Sequence, residues 1–146
     1  MTHFNFIDTD KVEIRKYYYE SGALSSVIPY VSRERHGLAK HYYETGAIRW
    51  AIPYVNGDIQ GIVKAYYESG VLMWEAPHVN GRIQGIGRGY YESGALKQEV
   101  LYVNDKEHGI EKFYDKDSLD IVCLTLYNKD KGKMVLKLKQ LKECHE

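Results

Sequence analysis

The side chains best suited to chemistry in this 146-residue chain are six histidines, two cysteines and a spaced set of glutamates. His36 and His108 each precede a glycine, where other copies of the same local pattern carry Gln60 and Gln84, so they read as turn residues. His41 and His78 have no acidic or cysteine neighbour at metal-ligand spacing. Cys144-His145 would supply two ligands, fewer than the four that close a structural zinc centre. Neither a phosphate-binding glycine loop with its lysine nor a nucleophile elbow occurs. Glu20, Glu44, Glu68 and Glu92 recur every 24 residues. Such a row reads first as turn polarity, with hydrogen bonds to backbone N–H groups, and second as a repeated site for cations or a basic partner. Repetition itself counts against catalysis, because an active site needs a unique constellation of unlike groups. The sequence therefore predicts no catalytic residue, no metal and no cofactor, hence a non-enzymatic chain.

The elements that carry these residues repeat with the same period. The tag YYE-S/T-G ends at Gly22, Gly46, Gly70 and Gly94, in steps of 24. A second tag keeps phase with it: Pro29-Tyr30-Val31, Pro53-Tyr54-Val55-Asn56-Gly57, Pro77-His78-Val79-Asn80-Gly81 and, more weakly, Leu101-Tyr102-Val103-Asn104-Asp105. A fixed period of this size marks a repeat array, in which each unit rests on its neighbours. Within one unit, two β-prone runs are separated by glycine turns, which predicts one hairpin per repeat. Asn-Gly suits the tighter turn because both residues tolerate positive φ. At the other turn, Gly46 as a left-handed bulge residue places Tyr42 opposite Ile48. On that register Leu38, Tyr42, Ile48, Trp50, Ile52 and Tyr54 are expected to share a face, since strand side chains alternate.

Stacked units make ladders. Tyr18, Tyr42, Tyr66 and Tyr90 form one, continued by Phe113 across a one-residue deletion. Tyr19, Tyr43, Tyr67, Tyr91 and Tyr114 form another on the opposite face, and Trp50 and Trp74 fall in step. Cross-strand packing is the first role expected of such aromatics. A single sheet has two faces, however, and aromatics are common anchors at protein interfaces. Tyr19, Tyr43, Tyr67, Tyr91 and Tyr114, with Trp50 and Trp74, are therefore the candidate interaction surface. The proline series breaks ladder hydrogen bonding and is expected where strands end or bulge.

The fold class expected is all-β: an elongated single-layer antiparallel sheet of consecutive hairpins, treated as one domain over residues 1–146. Clear repeats span about 12–117, and a degenerate cap covers 118–146. Phe4 to Ile7 looks like half a unit. Met134 to Leu141 reads as a lysine-bearing edge strand, which discourages end-to-end growth. A short helix with Met134, Leu138 and Leu141 on one side is the alternative.

Composition narrows the partners. Lys+Arg and Asp+Glu are both 20, for a formal net charge of +0. A nucleic-acid binder would carry a basic excess, so none is expected. No apolar stretch approaches the roughly 18 residues of a membrane-spanning helix. Without a visible secretory signal, and with only Cys123 and Cys144, reduced thiols and a cytoplasmic location are the expectation.

The two tags resemble the MORN repeat, specifically the bacterial variant in which a YYE-x-G block alternates with a PYVNG-like block. The likeness covers roughly Val12 to Asp117. The resemblance implies a single-layer sheet of hairpins and a non-enzymatic scaffold for protein–protein interaction. Because several bacterial proteins with this variant are classed as antitoxins, it also implies an antitoxin or immunity-type partner, with a toxin as the bound protein. Peripheral membrane or phospholipid binding is the alternative carried by the repeat name. Self-association through open edges or faces is compatible with either.

Overall fold

The structure, a computed structural model, describes residues 12–128 and 132–137, the last segment and Asn128 as backbone. Among the described residues, fourteen strands form one open antiparallel sheet. They are β1 (Val12–Tyr18), β2 (Leu24–Val31), β3 (Glu34–Arg35), β4 (Gly37–Tyr42), β5 (Ile48–Val55), β6 (Asp58–Ile59), β7 (Gly61–Tyr66), β8 (Leu72–Val79), β9 (Arg82–Ile83), β10 (Gly85–Tyr90), β11 (Leu96–Val103), β12 (Lys106–Tyr114), β13 (Ile121–Asn128) and β14 (Gly132–Lys137). The spatial order follows the chain, β1-β2-β4-β5-β7-β8-β10-β11-β12-β13-β14. The two-residue strands β3, β6 and β9 pair with the ends of β2, β5 and β8. The sheet of consecutive hairpins expected from the tags is what forms, and the edge-strand expectation holds over 132–137. Phe4 to Ile7, Leu138, Lys139, Leu141 and Cys144 lie outside the described residues.

Both turns follow from their residues. Asn56 and Gly57 have φ of +49° and +88°, which lets Val55 pair directly with Asp58 across a two-residue turn. At the other end, the Gly46 N–H donates to the Tyr43 carbonyl at 2.9 Å, with Gly46 at φ +91°. The Tyr43 N–H donates to the Ala47 carbonyl at 2.8 Å, and Tyr42 falls opposite Ile48 as the sequence predicts.

The next pair is His41 with Trp50, so Arg49 is an extra residue on β5. A two-against-one bulge of this kind resets which way the following side chains point. The expectation that Leu38, Tyr42 and Ile48 share a face with Trp50, Ile52 and Tyr54 therefore fails. Trp50, Ile52 and Tyr54 lie with His41, Ala39 and Gly37, whereas Leu38 pairs with Pro53 on the other side. Ser25, Met73, Lys97 and Val122 are the extra residues in the other hairpins. The same rule corrects the first tyrosine row. Tyr114 pairs with Ile121 beside its bulge, as Tyr42 pairs with Ile48, so Tyr114 and not Phe113 continues that row.

Every buried side chain among the described residues points to one face, here called the packed face. Ser26, Ile28, Ala39, Tyr54, Val63, Ala65, Ala76, His78, Val100, Glu111, Cys123 and Thr125 all belong to it. With no second layer among the described residues to cover them, large side chains bury small ones on the neighbouring strand. Trp50 lies opposite Ala65, Trp74 opposite Gly89, and Ile28 packs with Ala39 and Tyr54. Cys123 is disulfide-bonded, where the sequence predicts a reduced thiol.

Gly87 shows how close this lateral packing is. A Cβ there would sit 2.9 Å from Tyr102 Cε2 and 3.6 Å from the Ala76 Cβ. Gly87→Ala is expected to push Tyr102 off its seat and cost about 1–3 kcal/mol, read from urea unfolding by far-UV circular dichroism.

Candidate interaction surface

The sequence-predicted aromatics divide into three groups. Trp50 and Trp74 come together on the packed face, edge to face at 6.5 Å between centroids and 66° between planes. Tyr19, Tyr43, Tyr67 and Tyr91 sit at the hairpin ends with their hydroxyls committed. They donate to the carbonyls of Tyr42, Tyr66, Tyr90 and Tyr114, at 2.5, 2.7, 2.8 and 2.9 Å. Each bond runs from one repeat to the next. Their rings are half-buried, and two carry a cation from a bulge residue: Arg49 over Tyr43 and Lys97 over Tyr91. Tyr114 stands apart, with its hydroxyl donating to Glu99 Oε2 at 2.8 Å.

Links between turns complete the scaffold. Gln60 Oε1 accepts from the Asn80 N–H at 3.0 Å and Gln84 Oε1 from the Asn104 N–H at 3.1 Å. His36 takes the same place in its repeat, with Nδ1 accepting from the Asn56 N–H at 3.4 Å. From the glutamate row, Glu68 Oε1 accepts from the Thr45 hydroxyl at 2.8 Å. These side chains tie unit to unit.

The face opposite the packed one holds what the sequence reasoning missed. Ile14, Leu38, Ile62, Ile86 and Ile110 stand there in one column, between 45% and 53% exposed. Register fixes them on that side: Ile14 pairs with Pro29, Leu38 with Pro53, Ile62 with Pro77 and Ile86 with Leu101. Val55, Val79 and Val103 extend the strip toward the two-residue turns and are also exposed. A continuous apolar strip of this kind on a sheet face marks a surface suited to contact with a partner. The 24-residue spacing of the column was visible in the sequence. The face assignment that placed Leu38 inward concealed it.

Beside the aliphatic column runs a charged one: Lys16, Lys40, Lys64, Arg88 and Lys112. In the later repeats carboxylates answer it. Lys64 Nζ is 3.7 Å from Glu75 Oε2, and Arg88 Nε donates to Glu99 Oε1 at 3.0 Å. Glu75 also accepts from the Tyr90 hydroxyl at 3.0 Å. Hydrogen bonding from Tyr114, and then from Arg88, holds the Glu99 carboxyl below its ordinary range. Burial, and then the bond to Glu75, pushes the Tyr90 phenol up. In the earlier repeats the residues across from Lys16 and Lys40 are Val27 and Ala51. Among the described residues neither lysine forms a salt bridge. Among the described residues, the open face is thus charge-neutralised in the later repeats and cationic in the earlier ones.

A family model described as the MORN repeat variant matches three consecutive repeats, residues 35–56, 59–80 and 83–104. Each matched segment runs from one two-residue strand through to the next two-residue turn. MORN repeats are generally found in repeat scaffold or binding proteins. No curated protein sequence matches the chain. Among solved structures, a chain of the "Crystal structure of GtfA/B complex bound to UDP and GlcNAc" aligns at 17% identity with a TM-score of 0.44. The alignment covers 70% of this chain and 22% of that one, so this chain spans about a fifth of its length.

Two measurements test this geometry. Tyr67→Phe removes a single inter-repeat hydrogen bond and is expected to cost about 0.5–1.5 kcal/mol in urea unfolding. The second concerns pH. Because the Glu99 pKa is lowered from 4.5 on folding, its contribution is present above pH 4.5 and is lost as pH falls through the lower folded value. The unfolding midpoint is expected to drop over that acid window, and Glu99→Gln is expected to shallow the drop.

Proposed function

Three consecutive repeats of this chain match the MORN repeat variant, and from that premise we propose that it is a non-enzymatic scaffold that binds another protein through its open face. The observation that carries this reading is the column of half-exposed aliphatic side chains from Ile14 to Ile110, which no other element of the sheet covers among the described residues. Burying such side chains against a partner releases roughly 25 cal/mol per Å² of apolar surface, while leaving them in water brings no gain. The rows on both faces are copies of one another, and copies suit a contact surface better than a catalytic constellation. An antitoxin or immunity-type role is the specific form of this proposal. A broad ribbon face would occlude a toxin by contact area without acting on it chemically.

Affinity capture from the native cell tests the reading. The wild-type chain is expected to retain one defined protein in stoichiometric amount, and Ile62→Asp is expected to lose it. Equal retention by Ile62→Asp would remove the open face from consideration. For the antitoxin form, expression of the captured protein is expected to arrest growth, with co-expression of the wild-type chain restoring it.

A further inference from the structure

Resting on the scaffold reading, we propose that the N-terminal half of the open face docks an acidic amphipathic α-helix of the partner protein. The bound helix would lie along the repeat axis, over Ile14, Leu38 and Ile62, with its carboxylates on Lys16 and Lys40.

The pitch of the two structures carries the first part of the argument. Equivalent strands of successive repeats are two strands apart, or about 9.6 Å at ordinary interstrand spacing. Seven residues of α-helix rise about 10.5 Å. A helix with an apolar residue at every seventh position therefore meets one aliphatic of the column per repeat. Its second apolar position, three or four residues on, falls about 5 Å further. There it meets the partner strand, which presents Pro29, Pro53 and Pro77 beside Ile14, Leu38 and Ile62. An extended peptide laid the same way rises about 3.3 Å per residue and alternates faces, so only about every sixth residue could return to a matching position. Heptad spacing fits with two contacts per repeat. Sheet twist turns the column by about 40–50° for every two strands, so a straight helix is confined to a short run of successive steps and cannot follow the whole column.

Charge selects both the position and the sign of the helix. Lys16 and Lys40 flank the first two steps and have only Val27 and Ala51 across from them. Lys64 is already within reach of Glu75, and Arg88 is bonded to Glu99. A helix carrying carboxylates on one flank gains new pairs only at the N-terminal end of the sheet. Over the later repeats the same carboxylates would approach Glu75 and Glu99. Contact is therefore expected over β1, β4 and β7 together with their hairpin partners.

The probe is a fluorescein-labelled synthetic peptide of about 18 residues, with Leu at both heptad positions and Glu on one flank. Anisotropy is expected to show saturable binding to the full chain, weakening as salt rises, with a gain of helical circular dichroism. Leu38→Asp and Lys40→Glu are each expected to weaken binding by about tenfold or more; Leu38 is about half exposed, so its variant should fold. No binding, equal binding of a Lys-for-Glu peptide, or equal binding of a proline-interrupted peptide would overturn the proposal. So would pelleting with phosphatidylserine-containing vesicles that Leu38→Asp abolishes, which would assign the face to a bilayer. A dimer in light scattering that Leu38→Asp dissolves would assign it to a second copy. If the peptide fails while native capture still depends on Ile62, the helix proposal falls and the scaffold reading stands.

Discussion

A sheet with no second layer must bury its apolar side chains sideways, and lateral packing of large residues on small ones is the interaction everything else here depends on. Trp50 against Ala65, Trp74 against Gly89 and Tyr102 over Gly87 are instances of one arrangement, repeated along the packed face. Each large ring lies opposite a small residue on the neighbouring strand, and at Gly87 the fit is close enough that an added Cβ would meet Tyr102. This is close packing of the kind found in ordinary cores, spread into a single plane. The arrangement works only if both strands keep register, because a one-residue slip would send the rings to the other face.

Register is held at both ends of each hairpin. The two-residue turn fixes one end, and the glycine turn with its bulge fixes the other. Between repeats, hydroxyls of the second tyrosines reach across to backbone carbonyls, and glutamine side chains cap the N–H groups of the next turn. These contacts all join neighbours, so stability is distributed unit by unit, as in other repeat arrays.

Much of this architecture was legible in the sequence, and the face assignments that escaped trace to one local feature. Asn56-Gly57 and Gly46 announced their turns through residues that accept positive φ, and the pairing of Tyr42 with Ile48 followed. The extra residue just beyond, Arg49, carries no comparable mark, since almost any side chain can occupy a bulge. Missing it reversed the assignment of Leu38 and concealed the aliphatic column behind an apparent core position. Separately, the one-residue deletion expected before Phe113 drew the first tyrosine row to it, although counting 24 from Tyr90 gives Tyr114. The aromatic rows were recognised as ladders. Their hydroxyl bonds to carbonyls one repeat away could not be read from spacing, because a phenol finds its acceptor in three dimensions.

The tyrosine bonds have one more consequence. Each joins a residue to another 23 positions along, so the ribbon can lengthen or shorten by whole modules while every remaining link keeps its mate. Gain or loss of any other number of residues inside a module would strand a phenol. The chain is in that sense quantised: its reach can be tuned in discrete steps by duplication, with no new contact needing to be invented.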